Sequence, residues 1–432
     1  MKPLVLTLLL LSVCHLSCMS AYHADHKRIY IPEDLRTMNL DSDTSQWCWH
    51  RSVETRDLIF FWERGFGNDL QSPPSLDGHP MSFNLSVLTN RVQHFYTFFR
   101  DTLGWTAPPS TPSGASKADT YKMMVMVMYS LDGTAYGGTY DNFIGALWVA
   151  PNRIQDKTMN CMAHELGHSF QLQIPADSVG DAWGGTGFFE MTSQWMLWQV
   201  NPWWLRDENY HFEAFKQLTH KAFLHMENIY HSPYVIQWWS DLHGRTSIAE
   251  LFRQGRVGED PVITYKRLYG LSQTAFCDEM LRGYQHLVNF DFLHARQETR
   301  PYACTWTCPL DTLPNGWLQP KNLPEDYGFN IIPLPVKAVT RLQLRGDNVR
   351  YAFVGITNDG ETLYGDIGNP VFRCPKGRLL RHLFLVVMGS PAEHHQLYSH
   401  RHFDDNDDDD DENPSPVSPS PFTTYPYKFR IR

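Results

Sequence analysis

Residues 159–172 read Met-Asn-Cys-Met-Ala-His-Glu-Leu-Gly-His-Ser-Phe-Gln-Leu, and the architecture of the chain turns on them. The stretch holds no proline and places Met162, Leu166 and Phe170 four residues apart, so it is expected to be a helix with an apolar face. Side chains four apart on a helix stack on one face, which lets His164 and His168 aim both imidazoles at one ion. Two neutral nitrogens suit Zn²⁺, and the neighbouring carboxylate of Glu165 can take a proton from water. Gly167 costs about 1 kcal/mol against alanine in a helix interior, which implies that something packs close to it. The alternative is a chance HExxH match on the polar face of a helix, in a chain with 20 histidines.

Such a site needs a third ligand. The metzincin pattern would put one six residues after His168, but Ile174 stands there. Beyond a Gly-rich loop, Phe188 to Trp195 opens a second helical run, which Pro202 ends. Glu190 is the lone acid on its otherwise apolar face. A carboxylate taken out of water needs a partner or a metal to offset its desolvation, so Glu190 is the expected third ligand, completing the His-His-Glu set of gluzincins. Asp181 in the loop is the runner-up, and an ordinary surface glutamate is the plainer alternative. Gln194, one turn on, is a candidate to orient a ligand imidazole.

Around this core the chain reads as α+β. Leu58–Trp62, Lys122–Tyr129 and Gly145–Val149 are apolar runs expected as strands, and residues 86–103 have helical periodicity. A Pro/Ser-rich loop spans Pro108–Ser116. Strand, edge strand, metal helix, loop and ligand helix is the order of a zincin-like catalytic domain, assigned to residues 25–325 with a helical subdomain from Tyr210. Asn142–Ala150 is the expected edge strand, where an extended peptide could pair by its main chain. Ser232 is the expected cap of a helix at Pro233, with Gly244 ending it. From Tyr327 short apolar runs alternate with turns such as Asn358-Asp359-Gly360, giving a small β-sandwich over residues 326–400.

Met1-Lys2 and the apolar run Leu4–Val13 read as a signal peptide over residues 1–21, too short to span a membrane. The expectation is therefore a secreted or extracytoplasmic protein. Cys18 after Ser17 raises lipidation and membrane attachment, although His15 suits that reading poorly. Of six later cysteines, Cys304 and Cys308 are the best-spaced pair, and Cys161 is expected to pack in the core. The formal charge of −10 is concentrated in Asp404, Asp405, Asp407–Asp411 and Glu412. The remainder is nearly neutral, which argues against nucleic acid. Residues 401–432 are expected to be an acidic, Pro/Ser-rich disordered tail, though Tyr425–Arg432 alternates enough to return as a strand. Trp195, Trp198, Trp203, Trp204, Trp238 and Trp239 are either core or a platform for sugar rings, the core being the commoner use.

The chain resembles the secreted bacterial family that includes the plant-pathogen proteins Svx and AvrXca. The resemblance rests on RSVETRDLIFFWERGFG (51–67), AHELGHSFQ (163–171), GFFEMTSQWMLWQ (187–199), YAFVGITNDGETLYGDIG (351–368) and LFLVVMGSPAEHH (383–395). It implies a gluzincin-type zinc peptidase acting on extracellular proteins, glycoproteins among them, with His164, His168 and Glu190 as ligands and Glu165 as catalytic acid/base. An oxyanion donor is then required. By analogy with thermolysin-like enzymes, His231 and Tyr234 are the candidates, with Tyr230 and His225 close behind. The expected protein is a monomeric secreted endopeptidase. The rival is a glycan- or host-protein-binding module on a zincin scaffold with little turnover, for which Glu165 would serve no purpose.

Overall fold

The computed structural model describes residues 27–106, 114–184, 186–294, 296–396 and 422–432. The expected leader with Cys18, the acidic run and most of the Pro/Ser-rich loop lie outside these residues. The chain is of mixed α+β type and divides into two compact units, Met1–Val179 and Gly180–Arg432. No helix among the described residues is long and apolar enough to cross a membrane.

The first unit is built on a five-stranded sheet in the order β1-β2-β3-β5-β4. Its strands are β1 (Ser52–Glu54), β2 (Leu58–Trp62), β3 (Met123–Val127), β4 (Ala135–Tyr140) and β5 (Ile144–Val149). β2, β3 and β5 run parallel, while β1 and β4 are antiparallel to their neighbours. The apolar runs of β2 and β3 are continuous because both faces are covered. Ile59, Phe61, Met124 and Met126 pack with Leu35, Leu40 and Trp47 on one face. Helices α1 (Leu85–Asp101) and α2 (Asn160–Ala176) pack together, with Phe170 of α2 against Tyr96 and Phe99 of α1.

The expected edge strand needs correction. β5, which contains most of Asn142–Ala150, lies between β3 and β4, and β4 is the edge. β4 reads Ala-Tyr-Gly-Gly-Thr-Tyr, a sequence whose glycines suggest a turn. It becomes a strand through the tight turn into β5, where Asp141 and Asn142 both take positive φ, 52° and 47°, and the Phe143 N–H closes on the Tyr140 carbonyl at 2.8 Å.

The second unit begins with helices α3 (Gly187–Val200), α4 (Asn209–Leu218), α5 (Tyr234–His243), α6 (Ser247–Arg253), α7 (Pro261–Leu268) and α8 (Gln273–Val288). Their apolar faces share an aromatic core: Trp195, Trp198, Trp204 and Trp239 are fully buried. The core reading of these tryptophans therefore holds, Trp203 excepted, which is 46% exposed. Ser232 does not cap α5; its hydroxyl donates to the Asn228 carbonyl at 3.0 Å. Gly244 ends the helix at φ 91°.

Two antiparallel sheets complete this unit. One has the order β11-β10-β13-β8, from β8 (Phe329–Leu334), β10 (Val349–Thr357), β11 (Thr362–Tyr364) and β13 (Leu380–Gly389). The other has the order β12-β9-β14-β7-β6, from β6 (Leu310–Leu313), β7 (Trp317–Pro320), β9 (Val339–Arg345), β12 (Val371–Arg373) and β14 (Lys428–Ile431). Ile332, Phe353 and Leu385 of the first meet Leu342, Phe372 and Phe429 of the second in one buried cluster. The sandwich is thus wider than residues 326–400, since it takes β6 and β7 from before that range.

It also takes β14 from the expected tail. Residues 401–432 are not disordered throughout, because Tyr425, Tyr427 and Phe429 bury their rings and β14 pairs with both β9 and β7. Cys304 and Cys308, the best-spaced candidates for a pair, are free thiols. Burial pushes the Cys308 thiol up to about 12.

Phe429 is 0% exposed at the centre of the sandwich, and truncating a buried phenylalanine costs about 3–5 kcal/mol. Phe429→Ala is expected to lower the melting temperature clearly in a thermal-shift measurement. An unchanged melting temperature would mean that β14 does not dock.

Candidate metal centre

The chemistry-bearing helix of the first unit is α2. Its residues Glu165, Ser169, Gln173 and the following Asp177 recur every four positions and form one polar stripe. Each group of that stripe is tied down. Glu165 Oε2 accepts the Gly137 N–H of β4 at 3.0 Å. Ser169 Oγ donates to the Ala146 carbonyl of β5 at 2.6 Å. Gln173 accepts the Gly145 N–H at 2.8 Å and donates to the Phe143 carbonyl at 3.2 Å. Asp177 accepts the Lys117 N–H at 2.9 Å and the amide of Gln173 at 2.8 Å.

Close approach of helix to strand requires Gly137. A Cβ there would overlap the Glu165 carbonyl and press on the Cβ of His168. Glu165 is half-buried. Its Oε2 is held by the strand, and Oε1 has no hydrogen-bond partner among the described residues.

His164 and His168 are buried, 6% and 5% exposed. Their Nε2 atoms converge to 3.0 Å. His168 Nδ1 lies 2.8 Å from Gln171 Oε1. That oxygen can only accept, so Nδ1 carries the proton and Nε2 keeps its lone pair. Gln171, one turn beyond His168, is the orienting residue that sequence reasoning missed. The signal for it is an amide three residues after a candidate ligand, on a helix too apolar to leave it unpaired.

In the second unit Glu190 stands in the first turn of α3, where a negative charge is favoured by the helix dipole. One ligand atom from each of His164, His168 and Glu190 lies within 4.8 Å of the others, and the three could hold a metal ion. Asp181, the runner-up, accepts the Trp183 N–H at 2.9 Å. Gln194 donates to the Tyr230 carbonyl at 2.8 Å, whereas Gln171 meets the imidazole of His168.

The expected oxyanion donors fare differently. Tyr234 is 2% exposed, and its ring packs against Trp198, Phe215 and Phe290. Burial raises its hydroxyl pKa far above the usual range. Tyr234 is a core residue out of reach of solvent, which does not fit the catalytic role expected of it. The helical spacing that placed it near the start of α5 also placed it on the inward face. His231 is half-buried, with Nδ1 2.7 Å from Nδ1 of His211, and burial lowers its pKa. His225 Nδ1 accepts the Glu227 N–H, and its ring lies 5.6 Å from that of Phe422. Tyr230 is 44% exposed.

Gly137→Ala is expected to displace β4 from α2 and release Glu165. Hydrogen exchange at β4 amides should rise while the sandwich strands keep their protection. Unchanged exchange at β4 would show that the strand can yield without cost.

Among curated proteins none matches the chain. Solved structures that resemble it distantly include two from one organism. The ZmpB metallopeptidase from Clostridium perfringens is 13% identical, with 80% of this chain and 67% of that chain covered, at a TM-score of 0.32. The M60 catalytic domain of Clostridium perfringens ZmpC, in complex with the sialyl T antigen, is 12% identical over 80% of this chain and 67% of that chain, at a TM-score of 0.34. Likenesses this loose carry nothing about chemistry. A family model does match, over residues 21–418, nearly the whole chain, and the protein belongs to that family, described as a family of unknown function (DUF6055).

Proposed function

We propose that the protein is a secreted zinc-dependent endopeptidase that hydrolyses extracellular proteins or glycoproteins. The observation that carries this reading is the donor set. Two imidazoles and a carboxylate bring one ligand atom each within 4.8 Å of the others, and a carboxylate outside that set follows the first histidine. The set suits zinc: two neutral nitrogens and one oxygen anion are its usual partners in catalytic sites that keep a position open. Two nitrogens sharing a tetrahedral zinc stand roughly 3.3 Å apart, from bonds of about 2.0–2.1 Å, and the 3.0 Å between the imidazoles is close to that. The resemblance to the Svx and AvrXca family points the same way.

His164, His168 and Glu190 would hold the ion, which supplies Lewis acidity toward a carbonyl and toward water. The remaining work falls to the chain. Gln171 keeps the proton of His168 on Nδ1, so Nε2 is ready as a donor. Glu165 Oε1 accepts the proton of the attacking water and passes it to the leaving amine. Gly137 holds Oε2, which fixes the carboxylate in one rotamer. β4 presents an edge with no strand neighbour on its outer side among the described residues, and an extended peptide would lie along it. His231, whose pKa burial lowers, is a remaining candidate to donate to the oxyanion, alongside Tyr230 and His225.

Glu165→Gln is expected to retain zinc and lose about 100- to 10,000-fold in peptide hydrolysis, the usual scale of a lost general base. Equal cleavage by both proteins would sink the mechanism. Cleavage by neither, with both binding the same glycoproteins, would turn the reading toward the binding module.

Zinc affinity separates the ligand roles. Gln171→Ala should weaken it about 10- to 100-fold, as loss of an orienting partner does. Glu190→Gln should weaken it more, and Asp181→Asn should leave it unchanged in a chelator competition. If Asp181→Asn has the larger effect, the third ligand has been misassigned.

A further inference from the structure

The outward face of the sheet β12-β9-β14-β7-β6 is strongly basic, in a chain whose formal charge is −10. Leu342, Phe372 and Phe429 point into the sandwich core. Alternation along a strand therefore turns Arg341 and Arg345 of β9, Arg373 of β12, and Lys428, Arg430 and Arg432 outward. Register places like charges opposite one another. Lys428 pairs with Arg345, and Arg341 and Arg432 exchange both backbone hydrogen bonds, at 3.1 and 2.8 Å. Directly opposed like charges destabilise a sheet.

A neutral acceptor meets one of them, since Arg430 Nε donates to Gln343 Oε1, but no anion does. None of the six has an ion pair with a carboxylate among the described residues. The acid on this face, Asp311, lies on the far edge strand and pairs with Lys321. Arg345, Lys428 and Arg430 instead gather over the ring of Trp317, at 4.9, 5.6 and 4.9 Å from its centroid. A cluster of cations held on an aromatic support, with its opposed charges uncompensated, is complementary to a chain of regularly spaced anions.

We propose that this face binds a linear acidic polysaccharide, one carrying a carboxylate or sulfate on its sugar units. Charge complementarity supplies the attraction, and guanidinium groups offer the paired donors that such groups accept. Single-stranded nucleic acid fits less well, because it needs accessible aromatic faces for its bases. Trp317 is 8% exposed and lies beneath the cations. The proposal is independent of the metal centre.

The test uses the full chain and polygalacturonate or heparin as the probe, in calorimetry at two salt concentrations. Binding should be measurable at low salt and weaken as salt rises. The triple variant Arg345→Gln, Lys428→Gln, Arg430→Gln should bind at least tenfold more weakly. Its melting temperature should be unchanged or higher, because the repulsion has been removed. Equal binding by variant and wild type would overturn the proposal, as would tighter binding of a single-stranded oligonucleotide of similar charge. So would failure of the full chain to bind either probe at low salt.

Discussion

The whole candidate centre depends on how closely α2 can approach β4. The side chain that would accept a proton is held by a backbone N–H of that strand, and a single methyl group on Gly137 would keep the two apart. An apolar interface tolerates small sliding movements, because dispersion contacts are non-directional. A stripe of hydrogen bonds from Glu165, Ser169, Gln173 and Asp177 does not. Each has one geometry, and each buried group left unmatched costs about 1–3 kcal/mol. The stripe therefore fixes both the rotation of α2 about its axis and its position along the sheet. His164 and His168, on the same helix, inherit that precision.

Much of this could be seen in the residues, and the boundary of what could is physical. HELGH names its own geometry, because four-residue spacing on a helix is a distance as well as a pattern. The continuous apolar runs of β2 and β3 declare strands covered on both faces. β4 is hidden because its identity as a strand lies in what it pairs with. Ala-Tyr-Gly-Gly-Thr-Tyr has no apolar period, and its Gly137 is there to admit a helix. Tyr234 shows the opposite failure. Sequence order put it near the right segment, but order carries no information on which face of α5 it occupies, and that face is the core. Gln171 was overlooked because a glutamine on a helix has many uses, and only the partner of its amide oxygen selects among them.

The sandwich makes a related point about chain ends. Composition marks residues 404–421 as unable to bury much apolar surface, and it is natural to extend that judgement to the terminus. Tyr425, Tyr427 and Phe429 break it. Their alternation with Pro426, Lys428 and Arg430 gives one apolar and one polar face, and a sheet with β9 on one side and β7 on the other offers the slot. A strand inserted between two others satisfies its backbone on both edges, which few terminal segments achieve.

Two of the three donors, His168 and Glu190, share one further property: each is set in the form that a cation would need. Gln171 confines the proton of His168 to Nδ1. With His168 Nε2 thereby an acceptor, the 3.0 Å contact to His164 Nε2 is satisfied by a proton on the latter, and a cation would have to displace that one proton alone. Glu190 sits in the first turn of α3, where the helix dipole favours its anion. Glu165, by contrast, has one oxygen committed to Gly137 and one left open, the arrangement suited to a group that must gain and lose a proton without moving. Ligands that are set beside a base with one oxygen free are what the proposed turnover would require.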